Sequence, residues 1–188
     1  MTQSGSTGSG GGGAGWTKAP SQPAQPGPAG FVYADVPNRA IAYIIDAIII
    51  GIIDFIVFII LSVIGNSFLT SILVAVVGLA ISFGYFWYTW TKNRGTVGMK
   101  ALGMQVGNAG DGKTLTNDQA IRRFIALFAP FVLAQAFTPI GIIGSLIGLL
   151  AFGWLIYLLY TTAKSPTKQG FHDVFANTMV VKATRSVA

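Results

Sequence analysis

Four long apolar runs set the plan of the chain. The first, from about Arg39 to Ile64 (RAIAYIIDAIIIGIIDFIVFIILSVI), is 26 residues long. At about 1.5 Å per residue a helix of that length spans roughly 39 Å. A bilayer's hydrocarbon core is about 30 Å thick, so tilt or protrusion is expected. The second run extends from about Thr70 to Trp90, the third from Ile121 to Phe137 and the fourth from Ile140 to Thr161. The third is short and contains Pro130. The two pairs of runs do not resemble each other, so no internal repeat is read. The pattern predicts an all-α membrane protein, a four-transmembrane-helix bundle over residues 31–182. A small cytoplasmic β-hairpin and a disordered Gly/Pro-rich N-terminal tail complete the expected fold.

The links between the runs fix the expected orientation. The link Gly65–Leu69 carries no charge, and neither does the one around Thr138 and Pro139. The middle link carries Lys92, Arg94, Lys100, Lys113, Arg122 and Arg123, and the C-terminal part carries Lys164, Lys168, Lys182 and Arg185. Lys18 and Arg39 precede or open the first run. With four crossings, all 12 basic residues fall on one side. Lys and Arg collect on the cytoplasmic side, so both ends are expected there, in a multi-pass protein of the inner membrane. A re-entrant third run would put the basic tail outside, so it is read as a crossing. Tyr85, Trp87, Trp90, Tyr157 and Tyr160 lie near helix ends, as interfacial anchors do.

Composition narrows the function classes. Charged residues make up 10% of the chain, against about 25% in soluble domains. The net charge of +6 is therefore read as topology rather than as a nucleic-acid footprint. There is no cysteine, which excludes disulfides, Cys-ligated zinc and thiol catalysis, and the single His172 excludes a multi-histidine metal site. Residues 1–30 hold nine glycines and four prolines and no apolar core region. They are read as a disordered cytoplasmic tail rather than a signal peptide. Residues 183–188 are read as a C-terminal tail. In the middle loop, 91–118, Lys100–Val106 and Lys113–Thr116 read as the two strands of a hairpin around an Asp111-Gly112 turn.

Several constellations carry candidate chemistry. Arg39 and Asp46 share one helix face, about 20° apart in azimuth and roughly 10 Å along the axis. Asp54 lies about 80° further round and about 12 Å deeper. A carboxylate at membrane depth costs about 2.5–3.5 kcal/mol, so it needs a partner, a cavity or a proton. One reading is a proton relay or cation site. The other is a structural pair in which Asp46 binds Arg39, Arg122 or Arg123. No basic side chain matches the depth of Asp54.

Ser71, Gly78, Ser82, Tyr85 and Thr89 form a stripe within about 60° on the second run. It either lines a wet path or lets helices pack closely. Gly141, Gly144, Ser145 and Gly148 form a helix-packing face, within the chain or between copies. Gly107 to Thr114 matches the P-loop string letter for letter. No helix can open at Lys113, however, so a turn and no nucleotide is expected. His172-Asp173 reads either as a metal-binding pair or as a surface segment in which Asp173 pairs with a basic residue of the middle loop or Arg39.

Five pieces then fall in an order that resembles one family. They are Arg39 with Asp46, Thr96 to Val106, the turn Asn108 to Lys113, Arg122 or Arg123, and Gly170-Phe-His172-Asp173 with Thr178-Met-Val-Val. This resembles the RDD family of bacterial membrane proteins, named for an arginine and two aspartates, over about residues 31–182. The resemblance implies Arg39 as the arginine and Asp46 as the first aspartate. Asp173 is the second, with Asp54 as competitor. Lys100, Arg122, Arg123 and His172 are candidate partners in the charge network. The family commonly has Gly-Lys after the threonine, whereas Met99 here separates Gly98 from Lys100.

Ligand or ion transport, including sodium/proton exchange, is implied, as is an accessory or assembly role in a membrane complex. The expected function is a small transporter or cation/proton exchanger using intramembrane carboxylates. The alternative is a non-enzymatic accessory subunit. The expected partners are the lipid bilayer and either further copies or a larger membrane complex. No catalytic residue, cofactor or metal is expected.

Overall fold

The computed structural model describes residues 31–65, 68–138 and 141–185. The N-terminal tail, 1–30, lies outside the described residues. The chain enters through strand β1 (Phe31–Tyr33) and helix α1 (Val36–Ser62). Asp35 caps α1 by accepting from the Asn38 amide at 3.2 Å, and a proline occupies the first turn, where its missing N–H costs nothing. Helix α2 (Phe68–Lys92) follows, then the short helix α3 (Val97–Ala101) and strand β2 (Met104–Asn108). Helix α4 (Asn117–Phe137) opens on a capping box, in which Thr116 and Gln119 each bond the other's backbone amide. Helix α5 (Ile142–Lys164), the short helix α6 (Phe171–Phe175) and strand β3 (Thr178–Arg185) close the fold.

The strands form one antiparallel sheet in the order β1-β3-β2. The expected β structure is present, but its pairing differs from the expected hairpin. Val106 of β2 faces Val180 of β3, and Lys100 and Ala101 belong to α3. Residues 113–116 are needed elsewhere: Leu115 is buried in the core and Thr116 caps α4. The expected turn does form, with the Gly112 amide donating to Asn108 and Gly112 at φ 68°. Residues 183–185, read as a tail, continue the backbone of β3.

The sheet decides how the helices run. Its strands come from before α1, from between α2 and α4, and from after α5. Because these strands are bonded to one another, α1 with α2 and α4 with α5 leave the sheet and return to it. All four are long and apolar enough to cross a membrane. Their surfaces are inverted relative to a soluble bundle: Phe55 is 61% exposed and Leu150 72%, while Arg39, Asp46 and Arg123 are buried. The interior is densest near the sheet, where Phe86, Phe124 and Phe128 stack with centroids 4.7–6.3 Å apart.

Candidate functional site

The buried side chains of α1 are Arg39, Ala42, Asp46 and Ile50, one stripe at helical spacing. Arg39 reaches across the base of the bundle. Its Nη1 donates to Asp173 Oδ2 at 2.6 Å, its Nε to the Ala34 carbonyl at 3.1 Å and its Nη2 to the Val180 carbonyl at 3.2 Å. From α4, Arg123 Nη1 donates to the other oxygen of Asp173 and to Thr178 Oγ1. The Arg123 guanidinium lies 5.3 Å from the centroid of Trp90. Trp90 is fully buried there, so it is not the interfacial anchor expected of it. Asp173, itself fully buried, also accepts from the Gly170 amide at 3.2 Å. One carboxylate thus ties α1, α4 and the C-terminal α6–β3 unit into a clamp.

The clamp sets the charge states of α6. Burial raises the Asp173 carboxyl, but Arg123, His172 and Arg39 outweigh it, and the group titrates well below the usual carboxylate range. His172 Nε2 lies 3.4 Å from Asp173 Oδ2. Burial is the main cause that pushes His172 down to about 4, against Asp173 and helped by Arg123 and Arg39. The ring is therefore neutral at pH 7, and neither nitrogen has a hydrogen-bond partner among the described residues. The pair is buried, not a surface segment. Among the described residues no group of three His, Cys, Asp or Glu side chains converges as a metal site.

Asp46, 1% exposed, binds none of the three arginines expected as its partners. Its Oδ1 accepts from the Tyr85 hydroxyl at 2.7 Å and from the Gly98 amide at 2.8 Å. The Tyr85 oxygen in turn accepts from the Val97 amide at 3.0 Å. Arg39 and Arg123 are held by Asp173, and Arg122 makes an exposed i,i+4 pair with Asp118. Lys100 is exposed on α3, where among the described residues it makes no ion pair. Gly98 is required by the contact: a Cβ there would lie 2.2 Å from the Ala42 carbonyl oxygen.

Asp54 is partly buried against α2, and a Cβ on Gly78 would lie 3.4 Å from Asp54 Oδ1. That oxygen is buried and has no hydrogen-bond partner among the described residues. The stripe on α2 therefore faces both acids of α1, Gly78 at Asp54 and Tyr85 at Asp46. On α5 only Gly144 is a close-approach position, 2.6 Å from the Phe137 carbonyl for an added Cβ. Gly144 also lines, with Gly141, Ser145 and Gly148, an open groove of 470 Å³ against Gln135 and Thr138. The P-loop string begins in β2 and runs through its turn, and it ends at Thr114, three positions before α4 opens at Asn117. Thr178, quoted above only as part of the family resemblance, and Tyr43, which carried no sequence signal, both lie beside Arg123.

The sequence model of one family, the RDD family, matches residues 33–177. No curated protein and no solved structure matches the chain.

Proposed function

The chain belongs to the RDD family of membrane proteins, and on that premise we propose that it is a non-enzymatic, multi-pass inner-membrane transporter that exchanges protons for a monovalent cation at Asp54. One observation carries this reading. Asp173 and Asp46 Oδ1 are occupied by fixed donors, and Asp46 Oδ2 and Asp54 Oδ1 are both buried without one, but among the described residues only Asp54 of the three acids has no donor to either oxygen. A carboxyl at that depth is stable when protonated, and it can release its proton to water only when a cation or water takes the proton's place on the carboxylate. Competition of proton and cation for one carboxylate is the simplest basis for exchange. Gly78 keeps the facing wall of α2 thin at that level. Four helices offer little room for a pathway, so the pathway forms between copies. The basic ends of the helices support a cytoplasmic location for the sheet and both termini.

Purified full-length chain in proteoliposomes carrying a pH-sensitive dye tests this. A sodium or potassium pulse is expected to drive proton flux in the native chain. Asp54→Asn is expected to abolish that flux while leaving the protein folded. Full flux in Asp54→Asn, or none in the native chain, rules the mechanism out.

A second reading, an accessory subunit of a larger complex, is favoured by the open groove beside Gly141, Ser145 and Gly148. Mild-detergent purification yielding one stoichiometric partner supports it. Recovery of this chain alone opposes it.

A further inference from the structure

Helix α6 buries its polar side and exposes its apolar one. His172 and Asp173 face inward to the clamp, while Phe171, Val174 and Phe175 are 39%, 65% and 48% exposed. A surface helix in water does the reverse. The four long helices share this inversion, but α6, with five residues, is far too short to cross a membrane.

Contacts with α5 fix the level of this face. The chain leaves α5 at Lys164, and the Phe171 amide then donates back to Thr161 Oγ1 at 3.1 Å. The start of α6 is therefore level with the last turn of α5. Its side chains reach deeper. The Phe171 ring centroid lies 5.4 Å from that of Trp154 and 6.1 Å from that of Tyr157, and Phe175 stacks on Phe171 at 5.9 Å. Tyr157 precedes Lys164 by seven positions (164 minus 157), about 10 Å along the axis of α5. With 23 residues, α5 is about 35 Å long and overhangs a hydrocarbon core of about 30 Å only slightly. Phe171 thus points below the membrane boundary. Lys164 and Lys168 stand at it: Lys168 Nζ donates to the Ala163 carbonyl at 3.1 Å, and Lys164 Nζ lies 5.8 Å from the Tyr160 ring. Cations on apolar stems at that level suit lipid phosphates.

We propose that α6 is an interfacial helix whose outer face, Phe171, Val174 and Phe175, lies in the bilayer leaflet on the side of the sheet. Its partner is the acyl-chain boundary of that leaflet, with Lys164 and Lys168 among the headgroups. Apolar faces of interfacial helices sink about 5–10 Å into this boundary, the depth that Phe171 shares with Tyr157. Lipid is favoured over a protein partner because the aromatic stack continues onto α5, whose own exposed surface is apolar over the length of a crossing. The bilayer then holds the inner face of α6, with Asp173, against Arg39 and Arg123. The surface makes no use of Asp54, so it stands or falls apart from the transport reading.

The chain has no cysteine, so a nitroxide can be attached at one chosen position. Full-length Val174→Cys, spin-labelled, is reconstituted in phosphatidylethanolamine–phosphatidylglycerol vesicles with a nickel chelate on both sides. Ile156→Cys, exposed on α5, is the lipid reference, and Lys113→Cys, exposed in the turn after β2, is the water reference. The ratio of oxygen to nickel collision rates at position 174 is expected several-fold above that at 113, towards that at 156. If Val174→Cys fails to fold, Phe175→Cys replaces it with the same expectation. A ratio equal to that at 113 puts the face in water and overturns the proposal. Low collision rates with both reagents mean that a second copy covers the face, and overturn it as well.

Discussion

At the scale of the residue, Asp173 does most to hold the molecule together. It is the sole counter-charge among the described residues for two buried guanidinium groups drawn from helices 84 positions apart in sequence (123 minus 39). Asp173→Asn removes that charge and leaves both cations buried. Loss of one member of a buried ionic network costs about 3–5 kcal/mol. The variant is therefore expected to unfold at a clearly lower temperature in detergent, and an unchanged Tm would refute the clamp. His172 adds a pH dependence of definite sign. Its folded pKa of about 4 lies below its usual 6.5, so between those values the unfolded chain binds more protons. Stability is expected to fall as pH drops from about 6.5 to about 4, by up to about 3 kcal/mol. Asp173 adds a further loss below about pH 4, where the carboxyl of the unfolded chain takes up a proton that the folded one, titrating well beneath the usual range, does not. His172→Gln is expected to flatten the Tm–pH curve from pH 4 to 6.5, and a curve parallel to the native one would remove His172 as its cause.

At the scale of the element, α3 is the wedge that joins the helices to the sheet. It has only five residues, capped by Thr96, and its Gly98 sits against the backbone of α1. The same glycine offers its amide to Asp46, so close approach and hydrogen bond are one feature. Gly98→Ala drives a Cβ into the Ala42 carbonyl and pulls that amide away. A loss of about 1–3 kcal/mol or more is expected from the overpacking alone. Gly51→Ala is the control, since nothing lies within 4 Å of an added Cβ. In a helix interior that change is expected to be neutral or to stabilise by up to about 1 kcal/mol. Equal melting temperatures for the two variants would show that α3 does not dock on α1 through Gly98. On α5 the same contrast separates Gly144 from Gly148. Gly144→Ala is expected to push α4 and α5 apart, and Gly148→Ala to be tolerated.

At the scale of the whole molecule, the sheet and the helix pairs make one statement about topology. The absence of cysteine from the chain makes single-cysteine labelling clean. On the proposed orientation, with both ends in the cytoplasm, Asn93→Cys is expected to react with a membrane-impermeant maleimide only in inverted vesicles. Ile64→Cys, at the far end of α1, is expected to react only in right-side-out cells. Labelling of both from one side would contradict the crossing of α1 and α2. The four apolar helices were legible in the sequence because hydrocarbon admits little else: a long apolar run with its backbone bonded internally. The starts of α1 and α4 were legible for a local reason too, since Asp35-Val36-Pro37 and Thr116 to Gln119 are capping signals within one turn. The partners of the charges were not. Asp46 and Arg39 share a helix face, yet they bind different groups, because Asp173, 134 residues away from Arg39, competes for the guanidinium at closer range. β2 likewise found its partner in β3 rather than in the nearby Lys113–Thr116. Span and charge distribution are properties of short stretches of chain meeting a solvent, and the sequence by itself determined them. Which carboxylate holds which arginine, which tryptophan is covered and which acid is left without a donor depend on segments brought together by packing, so only the tertiary structure decided them.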